Sequence, residues 1–156
     1  MDKMVYNLSR HVTYRIARLH ARLDAQATEI LKTHAKISLS EWRVLAVLTN
    51  PSVETQKDVL EAMGLDKGQI SRTLKRLEAN GFINLALSEH DHRQRQISLT
   101  GTGDQLVKKM FPIMMERQAH LQSGLEAGET DKLFELIEKL EQKSGHLTIS
   151  DGKTYK

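Results

Sequence analysis

Cysteine is absent from this chain, which excludes disulfides, thiolate zinc sites and any signal read through oxidation of a thiol. A cysteine-free composition fits a reducing compartment without demanding one. No apolar run comes near the roughly 20 residues that a membrane span needs. The N-terminal stretch MDKMVYNLSRHV has no apolar core of the kind a secretory signal carries. The expectation is a cytoplasmic protein with no membrane partner. Also missing are a P-loop, a G-x-G-x-x-G turn, and any Ser/His/Asp or Cys/His set, so neither an enzymatic activity nor a cofactor is expected. Carboxylates are plentiful, but Glu135, Glu138 and Glu141 fall on a solvated helix face. No internal repeat and no low-complexity segment is present.

What is there is a 156-residue chain with 39% hydrophobic and 28% charged residues, a soluble globular composition. Its formal net charge is +3 and its pI is about 9.2, a mildly basic balance that permits nucleic acid as a partner without requiring it. Val5, Leu8, Val12, Ile16, Leu19, Leu23, Ala27, Ile30 and Leu31 recur at helical steps and predict one long amphipathic helix whose stripe needs a partner. Ser38 and Glu41 form an S-x-x-E capping box opening a second helix, which carries Trp42, Val44, Leu45 and Leu48 and stops at Asn50-Pro51. Thr55 with Asp58 opens a third helix, which Gly64 closes. Leu65 is expected to pack inward, and Asp66 caps a fourth helix with Gln69 at its third position. Gly81 ends that helix.

Helix, glycine turn, helix is the helix-turn-helix spacing. Beyond it, Ile83, Leu85 and Leu87 alternate with polar or small residues, and Ile97 and Leu99 repeat that period of two, so the segment SEHDHRQR reads as the tip of a hairpin. The sequence therefore predicts a mostly α protein (α+β) built around a winged helix-turn-helix. From Gly101 a long helix runs to about Leu125 with Leu106, Met110, Ile113 and Leu121 as its stripe. Pro112 is expected to kink it or shift its register. A last helix carries Leu133, Leu136, Ile137 and Leu140, and the tail SGHLTISDGKTYK shows little periodicity. Met63, Met110, Met114 and Met115 read as core filler or as a soft pocket.

On the fourth helix, Lys67, Gly68, Gln69, Ser71, Arg72, Lys75 and Arg76 lie off the stripe of Ile70, Leu74 and Leu77. Gln69 suits bidentate pairing with adenine and Arg72 with guanine O6 and N7. Gly68 would allow close approach to base edges, while Lys75 and Arg76 reach phosphates. The plainer alternative is an ordinary solvated helix face. In the tip, Arg93 and Arg95 sit among His90, Asp91 and His92; an Arg there can enter a narrow A·T-rich minor groove, and Asp91 could brace it. The alternative is a charged edge that blocks aggregation. Glu89-His90-Asp91-His92 looks like ligand chemistry, but the two histidines stand two apart on a loop with no H-x-x-x-H pattern, so no metal is assigned.

These residues resemble the multiple-antibiotic-resistance regulator (MarR) family of transcription factors. The resemblance runs from Leu8 to Leu140 through LSEWRVLAVL, DKGQISRTLKRLEANGFI, DHRQRQISLTGTG, the helix containing Pro112, and LEAGETDKLFELIEKL. The spacing of Asp91, Arg93, Leu99, Thr100 and Gly103 is similar to the family's wing signature. His92 departs from it, standing where an Arg is frequent, which removes one phosphate contact or makes it pH-sensitive. The resemblance implies a homodimer whose first and last helices intertwine. Residues 1–36 would form an N-terminal dimerisation helix, 37–100 the winged helix-turn-helix DNA-binding lobe, 101–146 the C-terminal dimerisation helices and 147–156 a flexible tail. It further implies repression from a pseudo-palindromic operator in double-stranded DNA, with half-sites about 10 bp apart. Release by a small-molecule effector, often an aromatic acid, completes that expectation.

For such an effector the first helix offers His11 and Arg15 four apart, with Arg18 and Arg22 in a neighbouring basic row. An Arg beside apolar walls suits a ring carboxylate, and Trp42 could supply a wall. Alternatively, Arg15 pairs with an acid of the dimer mate and Trp42 is core. A different class of function stays open beside the regulator: a winged-helix interaction module whose basic face meets an acidic protein partner.

Overall fold

The computed structural model describes residues 7–64, 66–87, 95–145, 147–148 and 154–155. Leu65 and the tip from Ser88 to Gln94 lie outside the described residues, as does Val5. Packing divides the chain within one helix, between Ile113 and Met114.

The first unit holds helices α1 (Val12–His34), α2 (Leu39–Val47), α3 (Gln56–Met63) and α4 (Lys67–Ala79), strands β1 (Ile83–Leu87) and β2 (Arg95–Leu99), and the first half of α5 (Gly101–Gln122). The predicted first helix starts later than its apolar stripe. Leu8–Arg10 form a separate short 3-10 turn, and His11 is extended at φ −86° and ψ 124°. Asn7 explains the break: its Oδ1 accepts from the Ser9 amide at 3.1 Å, a local bond that competes with a continuing helix. Only the second half of the α1 stripe is covered. Ala27 and Leu31 are buried, whereas Val12, Ile16 and Leu19 are about half exposed.

α2, α3 and α4 begin where their caps predict. Glu41 is buried because its Oε2 accepts from both the amide and the hydroxyl of Ser38 at 2.7 Å, closing the capping box. Asp58 does the same for Thr55. Gly64 closes α3 with φ 60°, a left-handed conformation that glycine takes without steric cost. Val44, Leu45, Val59, Ile70, Leu77 and Ile83 form the centre of the core. Arg43 of α2 pairs with Asp24 of α1 at 2.8 Å, and Lys109 of α5 donates to the His34 carbonyl at 2.7 Å, setting a cation at the C-terminal end of α1.

β1 and β2 pair antiparallel in the register Ile83↔Leu99 to Leu87↔Arg95. The sequence did not foretell a further connection: Thr55 forms a bridge with Gln96, and the Ile97 amide donates to the Glu54 carbonyl at 2.7 Å. The segment between α2 and α3 thereby holds the outer edge of β2. Thr100 locks the other side. Its hydroxyl donates to the Gly81 carbonyl at 2.7 Å and accepts from the Gly103 amide at 3.0 Å. α5 runs through Pro112 without ending and stops at Gln122, short of Leu125.

The second unit holds the remainder of α5, helix α6 (Glu129–Lys143), and strands β3 (Leu147–Thr148) and β4 (Thr154–Tyr155). Leu133, Phe134, Leu136, Ile137 and Leu140 of α6 are all exposed. Glu135 pairs with Lys132 and Lys139, which hold its carboxyl below the usual glutamate range. Within the predicted tail 147–156, Leu147 pairs with Tyr155 and Thr148 with Thr154, and residues 149–153 and 156 lie outside the described residues.

Candidate nucleic-acid interface

α4 is set by its cap and its stripe. Asp66 Oδ1 accepts from the Gly68 amide at 2.7 Å, which supplies the first turn with a partner for its free N–H groups. Ile70, Thr73, Leu74 and Leu77 are buried at steps of three and four, and this fixes the helix rotation. Thr73 is tolerated there because its hydroxyl donates to the Gln69 carbonyl at 3.0 Å. The opposite face is then determined. Lys67, Gly68, Arg72, Lys75 and Arg76 are exposed, and Gln69 and Ser71 are half-buried. Gly68, Arg72, Lys75 and Arg76 follow one another at helical spacing along a single surface.

Arg72 folds back along this surface. A β-carbon added at Gly68 would stand 3.5 Å from Arg72 Nη1 and 3.0 Å from Asp66 Oδ1. Glycine thus leaves room for the guanidinium over the first helical turn, the turn that a recognition helix presents to base edges. Among the described residues, Lys67, Arg72, Lys75, Arg76 and Arg95 take part in no ion pair. Cations left unpaired on one helix face attract an external polyanion.

Arg95 is not part of the tip, as the sequence suggested, but the first residue of β2, opposite Leu87. There it shares a narrow cleft with Ser71 and Lys75 of α4 and Gln56 of α3. Sequence reasoning missed Gln56, because the Thr55–Gln96 bridge that brings α3 to the hairpin joins residues too far apart for any local pattern to mark. Asp58 holds that bridge in place. Its Oδ2 accepts from the Glu54 amide at 3.1 Å, the Thr55 amide at 2.7 Å and the Thr55 hydroxyl at 2.8 Å. The Thr55 hydroxyl first, and then these amides and Lys57, hold the Asp58 carboxyl below the usual aspartate range. His90, Asp91, His92 and Arg93 lie outside the described residues. Among the described residues no group of His, Asp and Glu could hold a metal ion, and no helix is long and apolar enough to cross a membrane.

The effector residues separate. Arg15 and Arg18 line one open depression on α1 together with Ile16, Leu19 and Arg22. His11 is joined to Arg15 through the backbone, its carbonyl accepting from the Arg15 amide at 3.0 Å. Trp42 does not line the depression; it is a core residue, 7% exposed.

Comparison with known proteins places these features in a family. Residues 36–94, from the end of α1 into the hairpin, match the model of the MarR family. A MarR/EmrR family transcriptional regulator from Acinetobacter sp. ADP1 is 32% identical, with 88% of this chain and 97% of that one aligned at a TM-score of 0.82. MepR of S. aureus, in a structure of its DNA complex, is 21% identical over 85% of this chain and 98% of its own, at a TM-score of 0.79. BpsR of Bordetella bronchiseptica, whose DNA binding is regulated by 6-hydroxynicotinic acid, is 23% identical over 88% of this chain and 97% of its own, at a TM-score of 0.76.

Proposed function

Because this chain belongs to the MarR family of transcriptional regulators, we propose that it is a dimeric, sequence-specific DNA-binding repressor, released from a pseudo-palindromic operator by a small aromatic acid. The observation that carries the reading is the outward face of α4, where Arg72, Lys75 and Arg76 are exposed and take part in no ion pair among the described residues. In this reading Gln69 and Arg72 face base edges, and Lys75 and Arg76 face phosphates. Ser71 is small enough to let the helix seat, and the β1–β2 hairpin flanks the groove; His90, Asp91, His92 and Arg93, outside the described residues, are assigned to the same contact from the sequence alone.

Dimerisation is supported by apolar side chains that one chain leaves in water. Val12, Ile16 and Leu19 of α1 are about half exposed, as are Phe134, Leu136 and Leu140 of α6. Exposure on that scale favours association. The effector reading is supported by Arg15, Arg18 and Arg22 beside Ile16 and Leu19, a pairing of cations with apolar surface that suits an aromatic carboxylate. MepR was solved with DNA, and BpsR responds to an aromatic acid. Such an acid would release DNA only to the extent that it binds the DNA-incompetent dimer better.

The test is selection of the full chain against a random duplex library at physiological salt, followed by challenge of the recovered complex with benzoate- and nicotinate-type acids. An enriched motif supports the repressor reading, and release by an acid supports the effector. Retention only at low salt, with no enriched motif, marks non-specific binding and turns the basic face into a docking surface for an acidic protein.

A further inference from the structure

Lys75 and Arg95 come from different elements, α4 and β2, yet they open onto one cleft. Leu74 and Ile97 form its floor, and both are buried. Neither cation has an ion-pair partner among the described residues. Two like charges held at one opening repel each other unless an anion sits between them. Gln56 and Ser71 also line the cleft, so residues with a neutral amide and a hydroxyl stand beside the two cations. Cations and neutral donors converging on a cleft this narrow suit the oxygens of a single tetrahedral phosphate.

We propose that this cleft seats one backbone phosphate of the bound DNA, held from one side by the recognition helix and from the other by the hairpin. The proposal rests on the regulator reading and deepens it. It gives Arg95 a role other than entry into the minor groove, and it brings Gln56 into the interface. A phosphate clamped between the two elements carries no sequence information. It fixes the insertion angle of α4 relative to the hairpin and so sets the register in which Arg72 meets its base pair.

The experiment uses the full chain and a duplex recovered by random-library selection, in which each phosphate is replaced in turn by an uncharged methylphosphonate. For the unsubstituted protein, neutralising one phosphate per half-site is expected to weaken binding about tenfold. Lys75→Gln and Arg95→Gln remove exposed charges and are expected to leave the melting temperature unchanged. In each of them, neutralising that same phosphate should change affinity less than about threefold, because the interaction is already lost. Gln56→Ala should show the same loss of sensitivity in weaker form. If the two variants lose sensitivity at two different phosphates, or if Arg95→Gln keeps the full effect at every position, the shared seat is wrong although the protein binds DNA. If inorganic phosphate at millimolar concentration occupies the cleft while neutralisation of the duplex has no effect, the cleft belongs to a free anion and the proposal is overturned. If the unsubstituted protein selects no duplex, the regulator reading fails and this inference fails with it.

Discussion

Gly103 and Gly81 show how single residues set the geometry of the DNA-facing lobe. Gly103 is buried where α5 passes the turn between α4 and β1, and a β-carbon there would lie 2.0 Å from the Phe82 carbonyl oxygen. No rotamer can relieve that overlap, since the obstacle is backbone. Gly103→Ala is therefore expected to destabilise the fold by at least about 1–3 kcal/mol, read as a lower denaturation midpoint in urea. An unchanged midpoint would mean that α5 and the turn separate without cost. Gly81 closes α4 with φ 72°, and its carbonyl accepts from the Thr100 hydroxyl, so one glycine both ends the helix and anchors the chain where β2 passes into α5. Arg72 is the residue to which the proposed function gives base specificity. It is unpaired and folded over Gly68, and on the proposed reading of a guanine edge its truncation to Ala should cost about 1–3 kcal/mol of operator binding.

At the level of elements, the sequence was legible where the signal is local. Ser38 with Glu41, Thr55 with Asp58, and Asp66 mark three helix starts within four residues each, and Gly64 and Gly81 mark two stops. Both strands of the hairpin appear where the period of two placed them. What escaped depends on distant pairing or on short runs. The Thr55–Gln96 bridge needs a partner that no local window of the sequence contains, whereas Arg95 in β2 and the β3–β4 pair join residues eight or fewer apart and escaped because their runs are too short to show a period. The late start of α1 escaped for a different reason: Asn7 overrides an apolar stripe that is itself correct. Asp58 supplies a prediction at this scale. Its carboxyl is held below the ordinary range in the fold, so its contribution is present above the unfolded pKa and is lost as pH falls through the folded one. The stability difference between the wild type and Asp58→Asn should be constant near neutrality and shrink below pH about 4, as measured by urea unfolding at several pH values. A difference that persists unchanged into acid would show that the charge of Asp58 does not hold the bridge.

For the whole molecule, a net charge of +3 is modest, so attraction to DNA has to come from where charge is concentrated and not from the total. The unpaired cations of α4 and β2 are that concentration. The apolar residues are distributed in the opposite sense, leaving Ile137 and its neighbours on α6 in water. Ile137→Glu is expected to shift sedimentation from dimer to monomer and to weaken operator binding, because two half-sites are then read by independent chains. A variant that sediments as a dimer would place the interface elsewhere. Dimerisation, the phosphate seat and base reading by α4 combine into one claim, that this chain recognises a particular duplex sequence through the outward face of α4. Parallel random-duplex selections with the wild type and Arg72→Ala test it most directly. The account predicts an inverted repeat for the wild type, and for the variant the same repeat and spacing with preference relaxed at one base pair of each half-site. Identical motifs from both proteins would contradict it.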